Sequence, residues 1–212
     1  MPRGFLRAIE ETGSASLEAK LSSINPNKFL VLRHLLDYFG KVDKKVLIFF
    51  ERIFSISCFA LALNCNFIIG SVQKNFGPYR QKIINQFREK RGAMNLMVTR
   101  IADTGLDIPD LAVAVQIDGL GASRQQEVQR VGRLQRQKKN AVYYNIFSNN
   151  PREASQTTQR AEYMRSLGYD VEHMSHPFCV SDSDEVQEKF YRFAMQCNQI
   201  AYDQERMRWE FI

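Results

Sequence analysis

VLIFF (46–50) is an unbroken run of five apolar residues between the polar KVDKK (41–45) and Glu51. A short continuous run without alternation is what a strand covered on both faces of a parallel sheet looks like. Upstream, Asn25-Pro26 opens NPNKFLVLRHLLDYF (25–39), with the proline near the first helical position. Phe29, Leu32, Leu36 and Phe39 recur there at three- and four-residue steps, which predicts a helix with one buried face. Downstream, an apolar helix is expected around 53–63, then the strand FIIG (67–70) and the helix PYRQKIINQFREK (78–90). NLMVT (95–99) reads as a strand, RIADTGLDIPD (100–110) as a loop, VAVQI (113–117) as a strand and SRQQEVQRVGRL (123–134) as a helix. AVYYNIF (141–147) is the next strand, PREASQTTQRAEYMRSL (151–167) a helix begun by Pro151, and YDVEHM (169–174) a final strand. This alternation predicts an α/β fold, doubly wound, with a mostly parallel sheet and helices on both faces. Right-handed crossovers would bring the loop from Thr99 and the helix from Ser123 to the edge at the strand C-termini, where such folds bind ligands.

The predicted domain covers residues 24–178. Residues 1–23 read as a leader or linker, with TGSAS (12–16) separating two short helical pieces. Residues 179–212 read as a helical tail. There SDSDEV (181–186) supplies caps, and Val186, Phe190, Phe193, Cys197 and Ile200 form one apolar stripe, expected to dock on the chain's own body.

The chain has 212 residues, 44% of them hydrophobic, enough for a sizeable core. Its 29 Lys and Arg against 23 Asp and Glu give +6, a balance that permits an acidic partner without requiring one. Cys58, Cys65, Cys179 and Cys197 form no CxxC pair, and His34, His173 and His176 complete no metal-ligand spacing. Free thiols and no metal site are therefore expected. No charge lies between Arg52 and Lys74, but Asn64 and Asn66 interrupt the stretch, which reads as helix, turn and strand and not as a membrane span. MPRGFLRAIEETGS (1–14) lacks the apolar centre of a signal peptide, so a soluble intracellular protein is expected.

QRVGRLQR (129–136) places Arg133 and Arg136 three residues apart behind Gly132, on one helical face. Two permanently charged planar forks aimed together suit phosphate oxygens. Taken alone, these eight residues read better as a solvated basic face.

Three segments in order change that balance: NPNKF (25–29) followed by KVLIFFE (45–51), TRIADTGLDIPD (99–110), and SRQQEVQRVGRLQR (123–136). Together they resemble the entry and motif IV, motif V and motif VI of the second RecA-like domain of superfamily-two helicases. Within that superfamily the likeness is to the XPB/Ssl-type DNA helicase subunit of transcription factor TFIIH, over roughly residues 24–175. The resemblance implies that Arg133 and Arg136 are arginine fingers directed at the γ-phosphate of ATP, with Gln129 holding the nucleotide or a facing domain. Such a finger accelerates phosphoryl transfer by roughly a thousandfold or more. Gly132 would keep the helix surface low, Gly105 would permit a tight loop turn, and Asp107 would accept from ribose hydroxyls or hold a motif VI arginine. Ser71, Thr99, Arg100 and Thr104 would contact the DNA backbone. Arg130 is expected as a sheet-edge or interdomain salt-bridge partner, and Asp103 and Asp110 as loop caps.

The sequence contains no GxxxxGKS/T and no DExH-like box. In this family both belong to the N-terminal RecA-like half, which would bind most of the ATP and Mg2+. The resemblance thus implies a chain inactive as an ATPase alone. Completed by its other half, it would open or translocate on DNA in transcription initiation and nucleotide excision repair, in the nucleus, with TFIIH-type subunits as partners. An RNA helicase is one alternative, disfavoured by NPNKF and SRQQEVQR. The other is a non-catalytic RecA-fold interaction module that binds a TFIIH-type partner.

Overall fold

The computed structural model describes residues 7, 10–11, 13, 15–69, 77–89, 94–99, 108, 110–117, 124–134 and 141–175. Among them, β1 (Val46–Phe49), β2 (Phe67–Ile68), β3 (Asn95–Val98), β4 (Val113–Gln116) and β5 (Val142–Asn145) form one five-stranded sheet in the order β2-β3-β1-β4-β5. Every ladder is parallel. β1 lies at the centre, with Ile48 opposite Met97 on one side and Val115 on the other. β2 pairs with β3, and β5 with β4.

Parallel neighbours need crossovers, and the helices supply them. They are α1 (Ala15–Ser23), α2 (Pro26–Lys41), α3 (Ile53–Leu63), α4 (Gly77–Arg88), α5 (Arg124–Leu134) and α6 (Pro151–Ser166). The alternation of side chains along β1 feeds two separate cores. Val46, Ile48 and Phe50 join Leu32, Leu36 and Phe39 of α2 and Ile56, Phe59 and Ala60 of α3. Leu47 and Phe49 join Ile83, Ile84 and Phe87 of α4 and Leu134 of α5. Burial on both sides is why the run carries no polar residue.

Local signals set the element ends. Asn25 caps α2, its side chain accepting from the Asn27 amide at 3.0 Å, and Pro26 follows at the first helical position. α3 stops where Asn64 turns left-handed (φ 47°, ψ 48°), a conformation asparagine tolerates better than most residues. The Cys65 amide then returns to the Ala60 carbonyl at 3.0 Å. The uncharged stretch is thereby split into helix and strand. Among the described residues no helix is long and apolar enough to cross a membrane. α6 begins on Asn150, which accepts from the Glu153 amide at 2.8 Å, and ends on Gly168 (φ 86°). There the Tyr169 amide reaches the Met164 carbonyl at 3.2 Å and the Gly168 amide reaches Arg165 at 2.9 Å.

One expected element is absent. YDVEHM is not a strand; residues 169–175 have no regular secondary structure. Their backbone is held by side chains: Arg165 Nη2 donates to the Val171 carbonyl at 3.0 Å, and the His173 ring packs 5.3 Å from that of Phe147. Alternation in sequence half-buries Tyr169 and Val171 without a ladder beside them. α1 falls within the stretch read as a leader, and its end is buried, with Ser22 and Ser23 at 0% and 1% exposure. The tail, 179–212, lies outside the described residues.

Candidate functional site

The strands deliver polar residues to the edge at their C-termini: Glu51 just past β1, Thr99 just past β3, Gln116 at the end of β4 and Asn145 at the end of β5. α5 lies against this edge. Its buried stripe is Glu127, Arg130, Val131 and Leu134, at helical spacing, and two of the four are charged. A buried charge is tolerated only when it is paired and hydrogen-bonded. Arg130 Nη1 donates to Glu51 Oε1 and to Gln116 Oε1, each at 2.9 Å, while its guanidinium lies 4.7 Å from the centre of the Phe49 ring. The Tyr143 hydroxyl donates to the same Gln116 oxygen. Arg130 is therefore the sheet-edge salt-bridge residue, with a partner inside this domain. Glu127 Oε2 lies 3.7 Å from Arg160 Nε of α6, and Asn145 Nδ2 donates to its Oε1 at 3.5 Å. Burial raises the Glu127 carboxyl above its ordinary range, and the charges of Arg160 and Arg130 offset part of that rise.

The opposite face of α5 carries Gln129, which is exposed, and Gly132, which is half-buried. Among the described residues, a Cβ placed on Gly132 would meet no atom within 4 Å. Packing against the described residues therefore does not demand a glycine there. Thr99 is 6% exposed and its amide donates to the Ile68 carbonyl at 3.2 Å, extending the ladder past β3. Asp110 stands in a turn at φ 63°. Ser71, Arg100, Asp103, Thr104, Gly105, Asp107 and Arg136 lie outside the described residues, as does the side chain of Arg133. The site thus brings Gln129 and Gly132 together on one helix at the sheet edge.

The NPNKF segment is built into the same edge. Asn25 Nδ2 donates to Ser148 Oγ at 2.9 Å while its oxygen caps α2. Lys28, 1% exposed, is ion-paired to Glu153 of α6 and donates to the Ile117 carbonyl at 3.1 Å. Glu153 Oε2 accepts from Ser22 Oγ at 2.8 Å and from the Ser148 amide at 2.9 Å. Phe29 packs on Phe59 with ring centres 5.7 Å apart.

Sequence reasoning assigned no role to Lys28, Glu51, Gln116, Glu127, Glu153 or Arg160. A signal for Glu127 was present: it shares the apolar spacing of Val131 and Leu134, so a helix docked on that stripe must bury a charge. Among the described residues, no group of three His, Cys, Asp or Glu could hold a metal ion.

A family model described as "ERCC3/RAD25/XPB C-terminal helicase" matches residues 1–206. The general transcription and DNA repair factor IIH helicase/translocase subunit XPB of Drosophila melanogaster is 30% identical over 172 residues, covering 78% of this chain and 21% of that protein. The TFIIH basal transcription factor complex helicase/translocase XPB subunit of Trypanosoma brucei brucei is 30% identical over 210 residues, covering 91% of this chain and 21% of the relative. The chain thus spans about a fifth of the length of the curated relatives it matches. Among solved structures, S. cerevisiae Dbp5 bound to RNA and ADP BeF3 superposes with a TM-score of 0.58 at 22% identity, over 78% of this chain and 42% of that one. Domain 2 of the DEAD-box helicase Mss116p bound to an RNA duplex gives 0.58 at 16% identity, over 81% and 66%. At such identities the two structures speak for the fold alone.

Proposed function

The chain belongs to the ERCC3/RAD25/XPB C-terminal helicase family, and from that premise we propose that it is the second RecA-like half of an ATP-dependent DNA helicase or translocase acting in transcription initiation and nucleotide excision repair. The observation that carries this reading is the division of α5 into two faces. One face is consumed by Arg130, Glu127, Val131 and Leu134, which fix the helix on the sheet. The other carries Gln129 and a glycine with open space above it, followed directly by Arg133. A glycine inside a helix costs roughly 0.5–1 kcal/mol relative to alanine. Among the described residues no contact offsets that cost, which suits a surface approached closely by something else.

In this reading the Walker loop and the acidic box sit on the N-terminal RecA-like half, which holds most of the ATP and Mg2+. Arg133 and Arg136 reach across the cleft and stabilise charge on the transferring phosphoryl group. Gln129 holds the nucleotide or the facing domain, and Gly105 and Asp107 shape the loop beside it. Ser71, Thr99, Arg100 and Thr104 contact the DNA backbone. TFIIH-type subunits are the partners and the nucleus is the place of action.

The test is DNA-stimulated ATP hydrolysis by this chain alone, by this chain together with a Walker-bearing N-terminal half, and by that pair with Arg136→Ala. Silence is expected from the first, turnover from the second, and a loss of about a thousandfold from the third with folding intact. Turnover that survives Arg136→Ala sinks the motor reading and leaves the interaction module in its place.

A further inference from the structure

NPNKF marks the family resemblance, yet the catalytic reading gives its lysine nothing to do. Lys28 and Glu153 are both almost fully buried, at 1% and 2% side-chain exposure. Burying a charged pair inside a protein costs more desolvation than an apolar pair of similar size, and replacing such pairs with hydrophobic residues is often neutral or stabilising. The next turn of the same helix meets the core with Leu32, so an apolar side chain is available to this environment. Stability alone therefore gives no reason for an ion pair here.

What the pair supplies is direction. The second partner of the ammonium is the Ile117 carbonyl at 3.1 Å. Ile117 directly follows β4, and its amide is already held by the Phe49 carbonyl at 3.2 Å. Both backbone polar groups of the residue that leaves the sheet toward α5 are thus fixed. Its neighbour Gln116 receives Arg130 of α5 on the other side at 2.9 Å. Two consecutive residues at the end of β4 therefore join the NPNKF helix to the helix of motif VI. Glu153 cannot follow Lys28 if the lysine shifts, because Ser22 and the Ser148 amide hold its second oxygen.

We propose that Lys28 is a positioning residue: paired with Glu153, it clamps the Ile117 carbonyl and so sets the placement of α5, the helix that contains Arg133 and precedes Arg136 in sequence. The proposal rests on the motor reading for its consequence in turnover, but not for its consequence in structure. The first arm therefore uses this chain by itself, comparing wild type with Lys28→Met/Glu153→Met by amide hydrogen exchange. Exchange in α5 and at 113–117 should rise at least ~10-fold while β3 stays as in wild type, because loss of a local clamp opens a local unit. Equal rises everywhere, or no change in α5, overturn the proposal. Should the double variant not fold, Lys28→Gln, which keeps an N–H for Ile117 but removes the charge, is judged by the same comparison of α5 with β3.

The second arm measures turnover with the N-terminal half present. The double variant should lower kcat at least ~10-fold with KM for ATP within about twofold, since a finger acts in the transition state. In an Arg136→Ala background it should add less than about twofold, because both changes remove the same interaction. Losses that multiply overturn the proposal. Turnover indifferent to Arg136→Ala overturns the motor reading instead, and the exchange arm then decides the clamp unaided.

Discussion

A guanidinium cannot shed its charge, so at 1% exposure Arg130 has to be matched by oxygens. Glu51 and Gln116 provide them, and Phe49 provides a ring face. Glu127 solves the same problem less completely, since Arg160 stands 3.7 Å away and burial raises its carboxyl above the ordinary 4.5. Between 4.5 and that raised value, the folded chain keeps a proton that the unfolded chain has released. Stability contributed here therefore falls as pH rises through that window. Urea midpoints of wild type and Glu127→Gln, followed from the carboxylate range to neutrality, should show wild type losing ground to the variant as pH rises; parallel curves would contradict this. Gly132 lies on the face of α5 that the described residues leave uncovered. Gly132→Ala should stabilise this chain by about 0.5–1 kcal/mol in chemical denaturation, and should slow turnover once the other half is present. A destabilised chain would mean that this domain itself packs against the glycine.

At the scale of elements, the reading of VLIFF succeeds because a strand covered on both faces has nowhere to put a polar residue. Asn64 and Gly168 end their helices for equally local reasons, through backbone conformations that asparagine and glycine adopt at little cost. YDVEHM misleads because alternation reports half-burial, and Tyr169 and Val171 are half-buried without a neighbouring strand. The candidate site was legible only as a helix, over the contiguous stretch Arg124–Leu134. It was not legible where partners are distant: Glu153 stands 125 residues beyond Lys28, and nothing in NPNKF names it. Asn150 joins the two kinds of information. It caps α6 through the Glu153 amide at 2.8 Å and donates to Ser22 of α1 at 2.9 Å. Asn150→Ala should therefore cost about 2 kcal/mol, about 1 from the cap and about 1 from the buried bond. A cost confined to the cap, read from the denaturation midpoint, would show that α1 contributes little through this residue.

Across the whole molecule, the sheet divides the interior into two cores, and aromatic side chains crowd one of them. Phe59 is fully buried and faces Phe29 at 5.7 Å and Phe50 at 5.3 Å between ring centres. Phe59→Ala should cost about 3–5 kcal/mol. Against a typical total of about 5–15 kcal/mol, that is enough to leave a substantial unfolded fraction on mild warming, measurable by circular dichroism. The equivalent loss on the other face, at Phe87, would reach α5 through Leu134, since both belong to the second core.

The strand order also dictates a sequence of events during synthesis. β1 and β2 are successive in the chain but not neighbours in the sheet; each pairs with β3. While a ribosome has released only the residues before Asn95, the five apolar residues of VLIFF have no ladder to enter. Such an unpaired, β-prone run is a site for association between nascent chains. β3 acts as the keystone, converting two stranded edges into a sheet at once. The interval between translation of Phe50 and of Val98 is therefore when this chain depends most on rapid elongation or on a chaperone's protection.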